Sequence, residues 1–200
     1  MKVGILAVQG AFIEHRKMLE TLGVECVELR KKADITKNEL SGIVLPGGES
    51  TVQGKLLREL DMFEPLKKLI EGGTPVLATC AGLILLAEHI SADKTVHIGT
   101  LPVTVKRNAY GRQLGSFVKK EKFEGLGDFE MTFIRAPYIE KLESDEVEVL
   151  AKVDGKIVAV RYKNQLGLAF HPEMGEDSRI HELFVDLIHA RNTQPAGLTA

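Results

Sequence analysis

A chain of 200 residues with 44% hydrophobic and 27% charged side chains has ordinary globular composition, sufficient for one domain with a sizeable core and incompatible with wholesale disorder. Lys and Arg (26) nearly balance Asp and Glu (28) for a net charge of -2, so no basic surplus exists to hold a nucleic acid. The longest apolar stretch, Val76 to Ala87, is interrupted by Thr79 and Cys80 and falls short of the roughly 20 residues of a membrane helix, while two cysteines make no disulfide framework and point to a reducing cytoplasm.

Along the chain, Lys2 to Val8 is β-rich and stops at Gly10. The N-terminus starts basic and apolar like a leader, but acidic Glu14 follows at once, so a core strand is the reading. Phe12, Ile13, Met18, Leu19 and Leu22 fall near helical spacing, with Gly23 placed as a C-cap. Val24 to Leu29 and Gly42 to Leu45 read as the second and third strands, the latter cut off by Pro46-Gly47-Gly48. A helix then runs to Leu60, although Gly54 inside it costs about 1 kcal/mol relative to Ala without an evident reason. Met62 to Glu71 is helical, Pro75 to Thr79 is the fourth strand, and Gly82 to His89 is the helix it feeds. Short connections between alternating strands and helices predict a parallel sheet covered on both faces.

From Ile98 to Phe170 the pattern changes to β-like runs divided by polar turns: Val103 to Lys106, Gln113 to Val118, Thr132 to Arg135, Val147 to Val153, Lys156 to Tyr162 and Leu166 to Phe170. Asp154-Gly155 between two of these runs is a hairpin signal. Ser178 to Arg191 closes the chain as an amphipathic helix with Ser178 as N-cap. The spacing predicts one domain over residues 1–192 and a frayed tail over 193–200.

Three segments carry chemistry. In Ala78-Thr79-Cys80-Ala81-Gly82 a cysteine sits between an apolar strand and an apolar helix, flanked by small residues that a cramped strand-to-helix elbow requires. That geometry points the sulfur at a helix N-terminus, which favours thiolate and offers an oxyanion site. A buried structural cysteine is the alternative, and Thr-Cys-Ala-Gly alone does not decide. In His171-Pro172-Glu173, residues i and i+2 of an extended segment point the same way, so a base and its orienting carboxylate lie side by side. The other histidines lack such a setting: His15, His89, His181 and His189 fall on helical patterns and His97 in a loop, where surface or core roles suffice. In Leu45-Pro46-Gly47-Gly48-Glu49-Ser50-Thr51, glycines after a parallel strand let backbone amides approach a ligand. A phosphate loop is a poor reading, because Gln53-Gly54-Lys55-Leu56 lacks the closing Ser or Thr.

Taken in chain order, the Gly-Gly loop, the cysteine elbow and the late His-Pro-Glu resemble the class I, triad-type glutamine amidotransferases over nearly the whole chain. Within them, Val8-Gln9-Gly10-Ala11 with Glu14-His15, Leu45 to Thr51, Arg107 to Gln113 and Phe133 to Pro137 are similar to the glutaminase subunits of pyridoxal 5'-phosphate synthase. The resemblance implies an α/β, three-layer, mostly parallel and flavodoxin-like sheet with helices on both faces and a nucleophile elbow. It also implies Cys80 as nucleophile with His171 and Glu173 as its relay, and Gly48, Glu49, Ser50, Arg107, Ile134 and Arg135 as the L-glutamine site. Backbone amides of Gly48 and Ala81 would hold the oxyanion, with Gln9 a further candidate, and neither metal nor cofactor would be needed.

The implied reaction is hydrolysis of glutamine to glutamate and ammonia through a cysteine thioester. The ammonia would pass to a separate synthase subunit, in a hetero-oligomer, for vitamin B6 biosynthesis. Arginines suit the α-carboxylate of glutamine through paired hydrogen bonds, although surface ion pairing explains either arginine alone. Two features depart from expectation: Ala78 stands where the elbow often begins with Gly, and Gly54 has no explanation. Cys26 reads as core packing. Three alternatives stay open: a glutaminase for a different synthase, a non-catalytic glutamine-binding subunit, and a cysteine hydrolase of similar architecture.

Overall fold

Residues 1–107 and 115–193 are described in the computed structural model; the expected motif residues 108–113 and the tail residues 194–200 lie outside them. The first half runs β1 (Lys2–Leu6), α1 (Phe12–Thr21), β2 (Glu25–Leu29), α2 (Lys32–Thr36), β3 (Gly42–Leu45), α3 (Ser50–Glu59), α4 (Phe63–Glu71), β4 (Val76–Thr79) and α5 (Ala81–Leu86). The second half adds β5 (Ala87–Ile90), β6 (Leu101–Lys106), β7 (Ser116–Phe123), β8 (Gly127–Ile134), β9 (Tyr138–Leu142), β10 (Glu148–Val153), β11 (Lys156–Tyr162), β12 (Gln165–Leu168), a 3-10 turn at Pro172–Met174 and α6 (Arg179–Thr193).

The strand order β2-β1-β3-β4-β12 is parallel throughout, and it continues into antiparallel β11-β10-β7-β8. A side branch pairs β5 with β6, β6 with β9, and β9 with β11. Every residue of β3, β4 and β12 is buried, as expected of parallel strands covered on both faces. On one face Ile188 and Phe184 of α6 pack directly over Gly42, and α1 joins them through the His15 bonds to Thr79 and His181. On the other face Leu83 of α5 packs over Gly167, and α3 packs against α5. The result is three layers, and the carboxyl ends of β1, β3 and β4 open toward one rim, where such sheets bind ligands.

Local differences from the sequence reading have identifiable causes. The stretch expected as a helix through His89 stops at Leu86, because the carbonyls of Leu85 and Leu86 accept from Ile98 and Thr100 instead of continuing the helical ladder. The released segment becomes β5. The long β7–β8 hairpin was only partly visible, since Lys119, Lys120, Glu121 and Lys122 mask a strand whose backbone is nevertheless paired along its length. Neither α2 nor β9 was expected. Asp34 builds α2 by accepting from the Arg30 and Lys31 amides, and β9 is held between β6 and β11.

At α6 the side chain that accepts from the first-turn amide is Asp177, which bonds Arg179 N at 3.1 Å, while the Ser178 hydroxyl donates to Glu182. The Asp154-Gly155 hairpin forms as expected, with φ of 48° and 78° at the two turn residues. Gly54 also acquires a reason: a Cβ there would overlap the buried ring of His97. No helix among the described residues is long and apolar enough to cross a membrane.

Candidate active site

Cys80 follows the last residue of β4 and precedes α5 with φ 48° and ψ -101°, a left-handed conformation that a non-glycine residue holds only under constraint. Its N–H donates to Leu168 O at 2.8 Å, fixing the elbow to β12, and its thiol points toward Ile134 O at 3.9 Å. The helix behind it begins with small Ala81 and Gly82; a Cβ on Gly82 would overlap the carbonyl of Leu45.

His171 leaves the end of β12 and is anchored by its N–H to Thr132 O at 2.8 Å, which brings it to β8. Its imidazole lies against Gly47, where any Cβ would collide with the ring, so that glycine is required by close approach. Nδ1 is 2.7 Å from Glu173 Oε1. The expected extended segment is instead a 3-10 turn starting at Pro172, and the turn rather than a pleat carries the carboxylate back to the imidazole. Burial would lower the pKa of His171, but hydrogen bonding to the Cys80 sulfur and to Glu173, together with their charges, raises it to about 10. An imidazolium thus sits beside the sulfur at neutral pH. Burial would raise Glu173, yet the adjacent His15 and His171 rings hold it below the usual carboxylate range.

A cavity of about 580 Å³ opens above these groups. Cys80, His171, Gly48 and Ala81 line its floor, with Gln9 and Gly10 beside them. Glu49, Ser50, Arg107, Ile134 and Arg135 complete the wall, so every residue expected to touch glutamine faces this one space, and Glu173 lies buried behind His171. Glu49 also caps α3, its carboxylate accepting from Thr51 N at 3.2 Å and Val52 N at 3.0 Å. Arg107 is tethered to Asp93 and to Thr51 Oγ1. Arg135 holds a φ of 44°, a second strained residue at the same wall. The loops at the rim are cross-linked: Ala11 N donates to Gly47 O at 3.0 Å, Glu49 N to Gln9 Oε1 at 2.8 Å, and Gln53 Nε2 to Gln9 O at 3.0 Å.

Sequence reasoning passed over His15 and His181. Both are fully buried, and His15 Nδ1 lies 2.9 Å from His181 Nε2. His15 Nε2 lies 3.1 Å from Thr79 Oγ1 and 3.3 Å from Glu173 Oε2, directly behind the relay. The available signal was that His15 precedes Leu19 by one helical turn, and His181 precedes Phe184 and Ile188 on the apolar stripe of α6. His89 and His189 are exposed, and His97 is buried against Gly54. Cys26 is half-buried, with its thiol pushed up to about 11 by burial, and has no contact with the site.

The chain is 64% identical over 195 residues to the pyridoxal 5'-phosphate synthase subunit PdxT of Desulfitobacterium hafniense (strain DSM 10664 / DCB-2), covering 98% of this chain and 97% of the relative. It is 54% identical over 192 residues to the protein of the same name from Methanocorpusculum labreanum, covering 96% and 100%. A crystal structure described as a glutamine amidotransferase superposes with a TM-score of 0.88 at 43% identity, covering 94% of this chain and 98% of the other. Residues 5–190, which span the elbow, the His-Pro-Glu turn and the cavity between them, match the SNO glutamine amidotransferase family, and the chain belongs to that family.

Proposed function

We propose that this chain is the glutaminase subunit of a pyridoxal 5'-phosphate synthase, with Cys80, His171 and Glu173 as its catalytic residues. Membership of the amidotransferase family makes glutamine the nitrogen source, and the relatives named as synthase subunits support the destination of the ammonia. The observation that carries the reading is a strained cysteine sharing one cavity with an imidazole that its own carboxylate orients at 2.7 Å.

Glutamine would enter with its α-carboxylate toward Arg107 and Arg135 and its carboxamide over Cys80. With the proton drawn from the thiol held on His171, the sulfur attacks the carboxamide carbon. The oxyanion that forms would be held by the amides of Gly48 and Ala81, both of which line the cavity. On collapse His171 returns the proton to the departing nitrogen, releasing ammonia and leaving a glutamyl thioester. Water, deprotonated by the same imidazole, then hydrolyses the thioester to glutamate and frees the Cys80 sulfur beside the re-formed imidazolium. Glu173 holds Nδ1 and balances the imidazolium charge throughout. The acceptor of ammonia is a synthase subunit assembled with this chain. The free thiols of Cys26 and Cys80 support a cytoplasmic setting.

A glutamine-mimicking alkylator followed by peptide mass mapping tests the nucleophile. Label on Cys80 alone, blocked by excess glutamine, is expected; label on Cys26, or none at Cys80, would overturn the assignment.

A further inference from the structure

Behind the relay lies a second buried chain of polar groups that hydrolysis as written does not use. His181 Nε2, His15 Nδ1, His15 Nε2 and Glu173 Oε2 follow one another at 2.9 Å between the two rings and 3.3 Å from ring to carboxylate. All three side chains are inaccessible to solvent. Glu173 Oε1 is taken by His171, whereas Oε2 has no hydrogen-bond partner among the described residues, so the ring edge of His15, 3.3 Å away, is what faces its charge. The protonation pattern of the chain therefore decides whether Oε2 meets an N–H or a lone pair.

Two neutral arrangements exist. If His181 carries its proton on Nε2, it donates to His15 Nδ1, and His15 must carry its own proton on Nε2, shared between Thr79 Oγ1 and Glu173 Oε2. The atoms left without a partner are then the lone pair of His181 Nδ1 and the hydroxyl proton of Thr79, whose oxygen accepts from both His15 and Gly47. In the reverse arrangement His181 Nδ1 carries a buried N–H with nothing to accept it, and a His15 lone pair faces the carboxylate. Each arrangement leaves one buried donor unpaired, at about 1–3 kcal/mol, so what separates them is the repulsion of a His15 lone pair set 3.3 Å from the carboxylate, which only the first avoids. Burial also lowers the pKa of both rings, His181 to about 3, so neither is charged at neutral pH.

We propose that His181 is a positioning residue for the glutaminase relay: its Nε2–H fixes the tautomer of His15, so that His15 presents the positive end of its Nε2–H dipole to Glu173 Oε2 at 3.3 Å and leaves Oε1 turned to His171. Thr79 extends the chain toward the rim, since its hydroxyl oxygen accepts the Gly47 amide at 3.0 Å and so ties the same network to the loop beside the reacting carbonyl. The role rests on the assignment of Glu173 to the relay.

Nitrogen-15 NMR of histidine-labelled, full-length protein reads the tautomers without any turnover. Both His15 and His181 are expected neutral with the proton on Nε2; a proton on Nδ1 of either ring, or a charged ring at neutral pH, overturns the proposal. Kinetics with the synthase subunit present supply the second reading. His181→Phe is expected to lower kcat by about 10-fold with KM little changed, and His181→Gln, whose amide can donate from the same place, to recover most of it. Equal losses in both variants, or none in His181→Phe, would contradict the role. A wild-type protein inactive under these conditions would instead remove the glutaminase reading, and the spectra would still decide the tautomers.

Discussion

At the residue scale, the proposed chemistry rests on Cys80, whose strained backbone sets it in the cavity lining. Cys80→Ala is expected to abolish glutamate release while leaving the thermal melt close to wild type, and Cys26→Ala to retain most activity, since Cys26 lies away from the site with a thiol pushed up to about 11. Near-normal turnover by Cys80→Ala would refute the nucleophile. His171→Ala should lower turnover by about 10³ to 10⁶-fold, and Glu173→Ala by less, about 10² to 10⁴-fold, because the carboxylate only orients and balances the ring. Equal and negligible losses would make the segment structural.

The placing of Cys80, His171 and Glu173 together was legible because strand, elbow and His-Pro-Glu are local patterns. His15 and His181 were not, because a histidine on an apolar helical stripe reads the same whether it packs or bonds, and their partners lie 64 and 166 positions away. Their burial leaves a pH signature. An unfolded His181 binds a proton near 6.5 and the folded ring only near 3, so the stability from keeping it neutral is complete above 6.5 and is lost as pH falls through that window. The slope is at most about 1.4 kcal/mol per pH unit. Urea melts at points within the window should show His181→Phe losing stability with acid less steeply than wild type; parallel curves would contradict the burial argument.

At the element scale, the parallel strands were readable from their apolar runs, and the helices between them from spacing and caps. Boundaries failed where tertiary bonds override local preference, as where Ile98 and Thr100 take the carbonyls that would have prolonged α5. Gly54 shows the reverse case, a local cost with a distant cause. Helix propensity alone says that Gly54→Ala stabilises α3 by about 1 kcal/mol. The contact with His97 says the opposite, and a net loss of about 1–3 kcal/mol is expected from overpacking. Adding His97→Ala should make the double variant less damaged than the sum of the two changes, by coupling across the contact. A Gly54→Ala protein more stable than wild type would show that the α3 contact is slack.

At the scale of the whole molecule, the sheet gathers distant segments onto one rim. The ends of β1, β3 and β4, the turn after β12 and the end of β8 all meet at the cavity, which is why residues from Gln9 to His171 line one space. That convergence was legible only through resemblance to a family, since spacing along the chain says nothing of which strands become neighbours. The same rim is where a synthase subunit would dock, and the cross-linked Gln9–Ala11 and Gly47–Glu49 loops would carry its contact to the oxyanion site. Replacing Gln9 should therefore reduce the partner-stimulated rate more than it lowers the melting temperature; an unchanged stimulated rate would separate this loop from the coupling.

The most direct measurement is steady-state glutamate release from glutamine with the synthase subunit titrated into wild type and Cys80→Ala. The expected result is slow or no turnover by the isolated chain, a rise of about 10-fold or more on saturation with the partner, equivalent to at least about 1.4 kcal/mol of barrier, and no turnover by Cys80→Ala at any partner concentration. A full wild-type rate without partner, unchanged on titration, or a Cys80→Ala rate that rises with partner, would contradict a cysteine glutaminase that serves a synthase.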